Sequence, residues 1–144
     1  MSFKDTVALT GKLTITLNGE TVQEIRNLVV TVGKNWIAQR MQGVSLGVMS
    51  HMAIGTGSTA AAAGDTALGT EIARVALNVS GGVVAAAVIT FECTYAAGVG
   101  TGAITEAGVL NANSAGDMLA RTVFATINKG AADSMTISWD VTVS

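Results

Sequence analysis

The residues able to do chemistry are few and poorly placed for it. His51 is the only histidine and Cys93 the only cysteine. A Cys–His pair could form an activated nucleophile, but strand parity places Cys93 with Ile89, Phe91 and Tyr95, on a face that should be buried. His51 falls on the face opposite Met52 and Ile54, which points to exposure or an interface. One histidine and one cysteine cannot supply the three or four ligands of a zinc site. Gly55-Thr56-Gly57-Ser58-Thr59-Ala60 matches the form G-x-G-x-x-A of a dinucleotide loop. The match lacks its context: no β-α unit follows, and Arg74-Val75-Ala76 stands where a ribose-binding acid should be. The stretch therefore reads as a flexible loop, Gly57 to Gly69, whose small side chains suit close backbone approach. No lysine follows Gly64, which excludes a P-loop. The carboxylates Asp65, Glu71, Glu106, Asp117, Asp133 and Asp140 are scattered, mostly in turns or on polar strand faces. Glu106 alone shares parity with apolar residues, Ile104 and Leu110; a bulge at Gly108, or a partner such as Arg74 or Arg121, would account for it. No enzyme emerges, and neither a cofactor nor a metal is expected.

The elements that carry these residues read as strands. From Val7 to Leu17, odd positions are apolar apart from Gly11, and even ones are mostly threonine. That period of two puts the greasy groups on one face of a pleated strand. Asn18-Gly19 then supplies the positive φ angles of a tight hairpin, with Thr21–Thr31 returning as the second strand. The same alternation runs from Ser134 to Val143 and from Ala87 to Tyr95. Further strands are expected near 50–55, 71–79, 104–110 and 117–127, separated by turn chemistry at 80–82, 111–116 and 128–133. Gly33–Gly43 breaks the pattern: Ile37, Met41 and Val44 recur at helical spacing, predicting a short amphipathic helix near 33–43 bounded by glycine at both ends. About eight antiparallel strands and one helix predict an all-β chain, a jelly-roll-like antiparallel β-sandwich forming a single domain over 1–144, with 1–5 as a flexible arm.

Composition narrows the function. The 144 residues hold 12% charged residues, about half the usual quarter, with 23 Ala, 18 Thr, 17 Val and 17 Gly and no proline. The longest greasy run, Val83 to Phe91, is far short of the roughly 20 residues a membrane helix needs. Eight Lys and Arg against ten Asp and Glu do not make a nucleic-acid surface. Met1–Thr6 has no signal-peptide core, so synthesis in a cytoplasm is expected.

Two longer strings add a resemblance. One runs from Met49-Ser50-His51-Met52-Ala53-Ile54-Gly55-Thr56-Gly57 through Gly64-Asp65-Thr66-Ala67-Leu68-Gly69-Thr70-Glu71. The other begins Gly102-Ala103-Ile104-Thr105-Glu106-Ala107-Gly108-Val109 and continues through Met118–Phe124 to Thr136-Ile137-Ser138-Trp139. Together they resemble a family of small β-rich structural proteins of tailed bacteriophages. Within it, size and strand pattern look most like the capsid cement, or decoration, proteins, such as that of a Bordetella podophage. The resemblance spans roughly residues 28 to 144, and similar strings occur in tail-fibre and baseplate proteins. It implies a virion protein made in the host bacterium, whose partner is the phage major capsid protein and which clamps neighbouring capsomers as a homodimer or other homo-oligomer. It transfers no catalytic residue. Phe3, Trp36 and His51 are the interface candidates; each is equally suited to ordinary packing.

Overall fold

The computed structural model describes residues 7–144; Phe3 and the expected arm at 1–5 lie outside the described residues. Ten strands and one helix follow in order: β1 (Leu9–Leu17), β2 (Glu20–Arg26), β3 (Leu28–Val29), α1 (Thr31–Met41), β4 (His51–Gly55), β5 (Glu71–Ala76), β6 (Val83–Ala85), β7 (Val88–Tyr95), β8 (Gly102–Leu110), β9 (Met118–Lys129) and β10 (Met135–Val143). They form two antiparallel sheets, ordered β2-β1-β10-β7-β6 and β3-β9-β8-β4-β5. The architecture is the all-β sandwich that the alternation predicted. Two strands lie beyond the expected eight: β3, split from the expected 21–31 strand, and β6, which precedes the expected 87–95 strand. Asn27 separates β2 from β3 where the chain changes sheet, and the turn at Ala86–Ala87 cuts β6 from β7.

Period-two alternation becomes burial directly. Leu13 and Ile15 of β1, Phe91, Cys93 and Tyr95 of β7, and Met135, Ile137, Trp139 and Val141 of β10 face inward. They meet Met52, Ile54, Ile104, Ala107 and Val109 of the second sheet in one continuous cluster. The Tyr95 hydroxyl donates to the Met52 carbonyl at 2.7 Å, a satisfied polar link between the sheets. The Asn18–Gly19 hairpin forms as expected, with φ of 50° and 85°, and Asn18 Nδ2 also donates to Asp133 Oδ1 at 2.8 Å, joining this turn to the β9–β10 turn.

The helix departs from expectation at both ends. It begins at Thr31, so Gly33 is an interior residue rather than a boundary. The absent side chain there is a packing device, since a Cβ would run into the Leu119 backbone of β9. That approach seats the first turns on the sheet, and Trp36 and Ile37 pack against the core. Met41, expected on the buried stripe, is instead 84% exposed, and Val44 lies beyond the helix at 39%. The helix touches the core through its first two turns, as far as Ile37. Gly43, at φ 90°, follows its C-terminus.

The outer face of the second sheet is not a solvent face. Val30, Ala53, Leu68, Leu110 and Met118 form a second, smaller core there, with Val32 packed against it. The residues between β4 and β5, 56–70, lie over this face as a strap.

Candidate functional site

The strap is built around Glu106, whose expected place with Ile104 is not the one it takes. The β8–β9 register shifts between Ile104 and Glu106, where two steps on β8 oppose four on β9. The shift turns Glu106 to the outer face while Ile104, Ala107 and Val109 stay on the inner one. Gly108 is not the bulge; it pairs regularly with Arg121, and its missing side chain makes room for Leu68 of the strap.

Glu106 is fully buried, and the strap wraps its carboxylate. Its Oε1 accepts from the Gly57 N–H at 3.0 Å and the Thr70 N–H at 2.7 Å, and its Oε2 accepts from the Gly69 N–H at 2.9 Å. Arg121 adds two bonds to Oε2, from Nε at 3.1 Å and Nη2 at 2.8 Å. Of the two partners expected for Glu106, Arg121 is therefore the one found. Arg74 pairs with Glu71 at 2.7 Å and donates to the Ala112 and Ala115 carbonyls. Arg121 continues outward, Nη1 to Asp65 Oδ2 at 2.7 Å and Nη2 to the Thr59 carbonyl at 2.9 Å. Asp65 in turn accepts from the Ala62 N–H at 2.8 Å. The Ala63 carbonyl accepts from the Thr31 N–H at 2.8 Å, satisfying an orphan donor at the start of the helix. Thr105 Oγ1 donates to the Gly57 carbonyl at 2.7 Å.

This geometry explains the glycine string without a nucleotide. The loop does cradle an anion with backbone N–H groups, and the anion is the chain's own carboxylate. A Cβ on Gly55 or Gly57 would collide with Glu106, and on Gly55 also with the Thr70 carbonyl. Far from being a flexible loop, 57–69 is tied down along its length.

Charge follows from these contacts. Burial pushes the Glu106 carboxyl up, but the bonds from Thr70, Arg121, Gly69 and Gly57 together outweigh it and hold it below the usual carboxylate range. The Ala62 N–H, opposed by burial and reinforced by Arg121, holds Asp65 low as well. Both folded values are lowered, so this stabilisation is fully present above the unfolded-chain values of about 4. It is lost as pH falls through the folded values. An acid titration followed by fluorescence should therefore show flat stability at neutral pH and a decline beginning below about pH 4, smaller in Glu106→Gln. A decline already complete at pH 5 would contradict this ionisation.

The other candidates are not brought together. Cys93 faces the sandwich interior beside Met52, with its Sγ 3.7 Å from the Met52 sulfur, and burial pushes its thiol up to about 12. His51 shares the outer face of the second sheet with Ala53, and its Nδ1 is 2.8 Å from Ser50 Oγ. The second sheet stands between them, so no nucleophile pair forms. Trp36 is half-buried, donates Nε1 to the Gly47 carbonyl at 3.0 Å, and carries Arg40 over its ring at 5.9 Å. A cleft of about 300 Å³ beside Trp36 has Arg40 as its one charged wall. A groove of about 890 Å³ between helix and strand ends has only Lys34. Neither offers a pair of groups to exchange a proton. Among the described residues, no three His, Cys, Asp or Glu side chains gather in a way that could hold a metal ion, and no helix is long and apolar enough to cross a membrane. The buried Glu106–Arg121 pair is the feature that parity hinted at, while its role in binding the strap had no signal beyond the glycines at 55, 57 and 69. Comparison with family models, curated proteins and solved structures finds no match to this chain.

Proposed function

We propose that this chain is a virion structural protein, a capsid cement that binds the outer face of an assembled phage head and bridges neighbouring capsomers. The observation that carries the reading, beside the resemblance of the two long strings, is the outer surface of the strap. From Ser58 to Ala67 it presents only Ser, Thr, Ala and Gly apart from Asp65, and Asp65 turns inward to Arg121. A rigid, uncharged surface of small side chains loses little side-chain entropy on contact. It also leaves no charge to be desolvated. Such a surface suits close apposition to another folded protein. Binding only the assembled shell stabilises that shell by mass action, and many modest contacts on one lattice sum to a large effect.

Imaging of intact particles with the chain labelled tests this. The chain is expected in many copies across the head, and particles lacking it should rupture at lower temperature. Ala62→Lys, on the exposed strap, should fold normally and fail to rebind stripped heads. Localisation to the tail or to one vertex would overturn the cement reading in favour of a tail-fibre or baseplate module.

A further inference from the structure

The β6–β7 hairpin carries five consecutive exposed apolar residues, Val83 to Ala87. Val84 is 67% and Val83 54% exposed, with Val79 nearby in sequence at 51%. Runs of that length are rare on a surface that faces only water. The strand is also an edge: β6 ends the first sheet, with no strand beyond it among the described residues. The other edges are defended. Glu20, Glu24 and Arg26 line β2, Glu71 and Arg74 stand on β5, and β3 is two residues long and runs almost at once into the helix. Edge strands without charge, proline or cover are templates for another strand; β6 has none of these three, and only its length of 3 residues protects it. Ala86 takes φ 52° in the turn, a position where a hairpin favours glycine, so an extra methyl is kept at the tip despite its strain.

We propose that the β6 edge is a self-association surface, on which a second copy pairs antiparallel about a two-fold axis passing midway between the two Val84 residues. The ladder fixes that centre. Ala85 opposite Val88 closes a two-residue turn, and Val84 opposite Ile89 is the next pair. In an antiparallel ladder these alternate, so the Val84 N–H and C=O point away from β7 to the open edge. Two copies placed with Val84 facing Val84 exchange both bonds, and Val83 of each faces Ala85 of the other. The two five-stranded sheets then become one. An uncharged edge is matched by an uncharged edge, and a two-fold contact is self-complementary and closes at two copies. A three-residue strand with its valines covers less than the roughly 1,200 Å² of a stable interface. Pairing of the free chain is therefore weak and appears only at high concentration. This inference does not depend on the cement reading, because it is tested on the isolated chain.

The test is symmetric cross-linking with sedimentation equilibrium. Cys93 is buried, so Val84→Cys supplies the only accessible thiol among the described residues. Under mild oxidation V84C should form disulfide dimers at least tenfold faster than Val22→Cys, which is on the opposite edge of the same sheet. The wild-type chain should gain mass with concentration towards a dimer, while Val84→Lys stays monomeric with an unchanged melting temperature. Equal cross-linking of V84C and V22C would overturn the proposal. So would association of V84K like the wild type, or a wild-type chain that stays monomeric at every concentration.

Discussion

Replacing Arg121 with Met should cost about 3–5 kcal/mol of folding stability, the range for removing one partner of a buried ion pair. The side chains of Arg121 and Glu106 are 3% and 0% exposed, so the orphaned carboxylate has no solvent to turn to. The three strap N–H groups would remain, but the charge-assisted bonds from Arg121 would be gone; Asp65 would keep only the Ala62 N–H, and the Thr59 carbonyl would lose the Arg121 donor. The exposed Lys12–Glu24 pair, at 3.6 Å with both side chains more than half exposed, should by contrast contribute at most about 1 kcal/mol. Urea unfolding reads both, as a shift of midpoint at constant slope. The double variant Glu106→Gln, Arg121→Met should recover part of the loss, because no fully buried charge is left unpaired; Asp65, at 25% exposure, keeps access to solvent. A loss below about 1 kcal/mol for Arg121→Met would mean that the pair does not hold the strap.

Trp139→Ala should be equally costly, about 3–5 kcal/mol, for a different reason. Trp139 is fully buried at the centre of the first sheet, with Leu13 of β1 and Phe91 of β7 as its cross-strand neighbours. Truncation leaves a cavity between two sheets that cannot close over it. The indole Nε1 has no hydrogen-bond partner among the described residues. Trp139→Phe, which removes that donor and keeps most of the ring, should therefore cost far less than Trp139→Ala. Thermal unfolding of the two variants separates the contributions; a Phe variant as damaged as the Ala variant would show that the indole N–H is satisfied.

The two cores differ in how far the sequence reveals them. The sandwich core was legible because alternation at Leu13, Ile15, Phe91, Cys93, Ile137 and Trp139 is a direct image of a one-sided strand. The outer core was not, because its members come from unrelated places: Val30 before the helix, Leu68 in the strap, Met118 at a strand start. A register shift hid the rest. Parity carried across the irregular step between Ile104 and Glu106 assigns Glu106 to the wrong face, and nothing in the residue types marks that step. The helix is legible from its spacing but begins two residues before the expected start, because Gly33 is a contact with Leu119 and not a boundary. The glycine string reads in sequence as a flexible loop, because the dinucleotide form lacks its context, and only the fold shows that its backbone N–H groups hold an anion, the Glu106 carboxylate. Glu106, Arg121 and Asp65 are taken up in the clamp, which leaves the strap surface without charge.

Amide hydrogen exchange measured residue by residue tests the central claim, that the buried Glu106 carboxylate holds the strap as a fixed part of the fold. The N–H groups of Gly57, Gly69 and Thr70 should exchange as slowly as those of β8 and β9, although Thr70 and Gly69 are exposed residues of a loop. Exchange of these three amides at the rate of an unstructured chain, with the strands still protected, would contradict it.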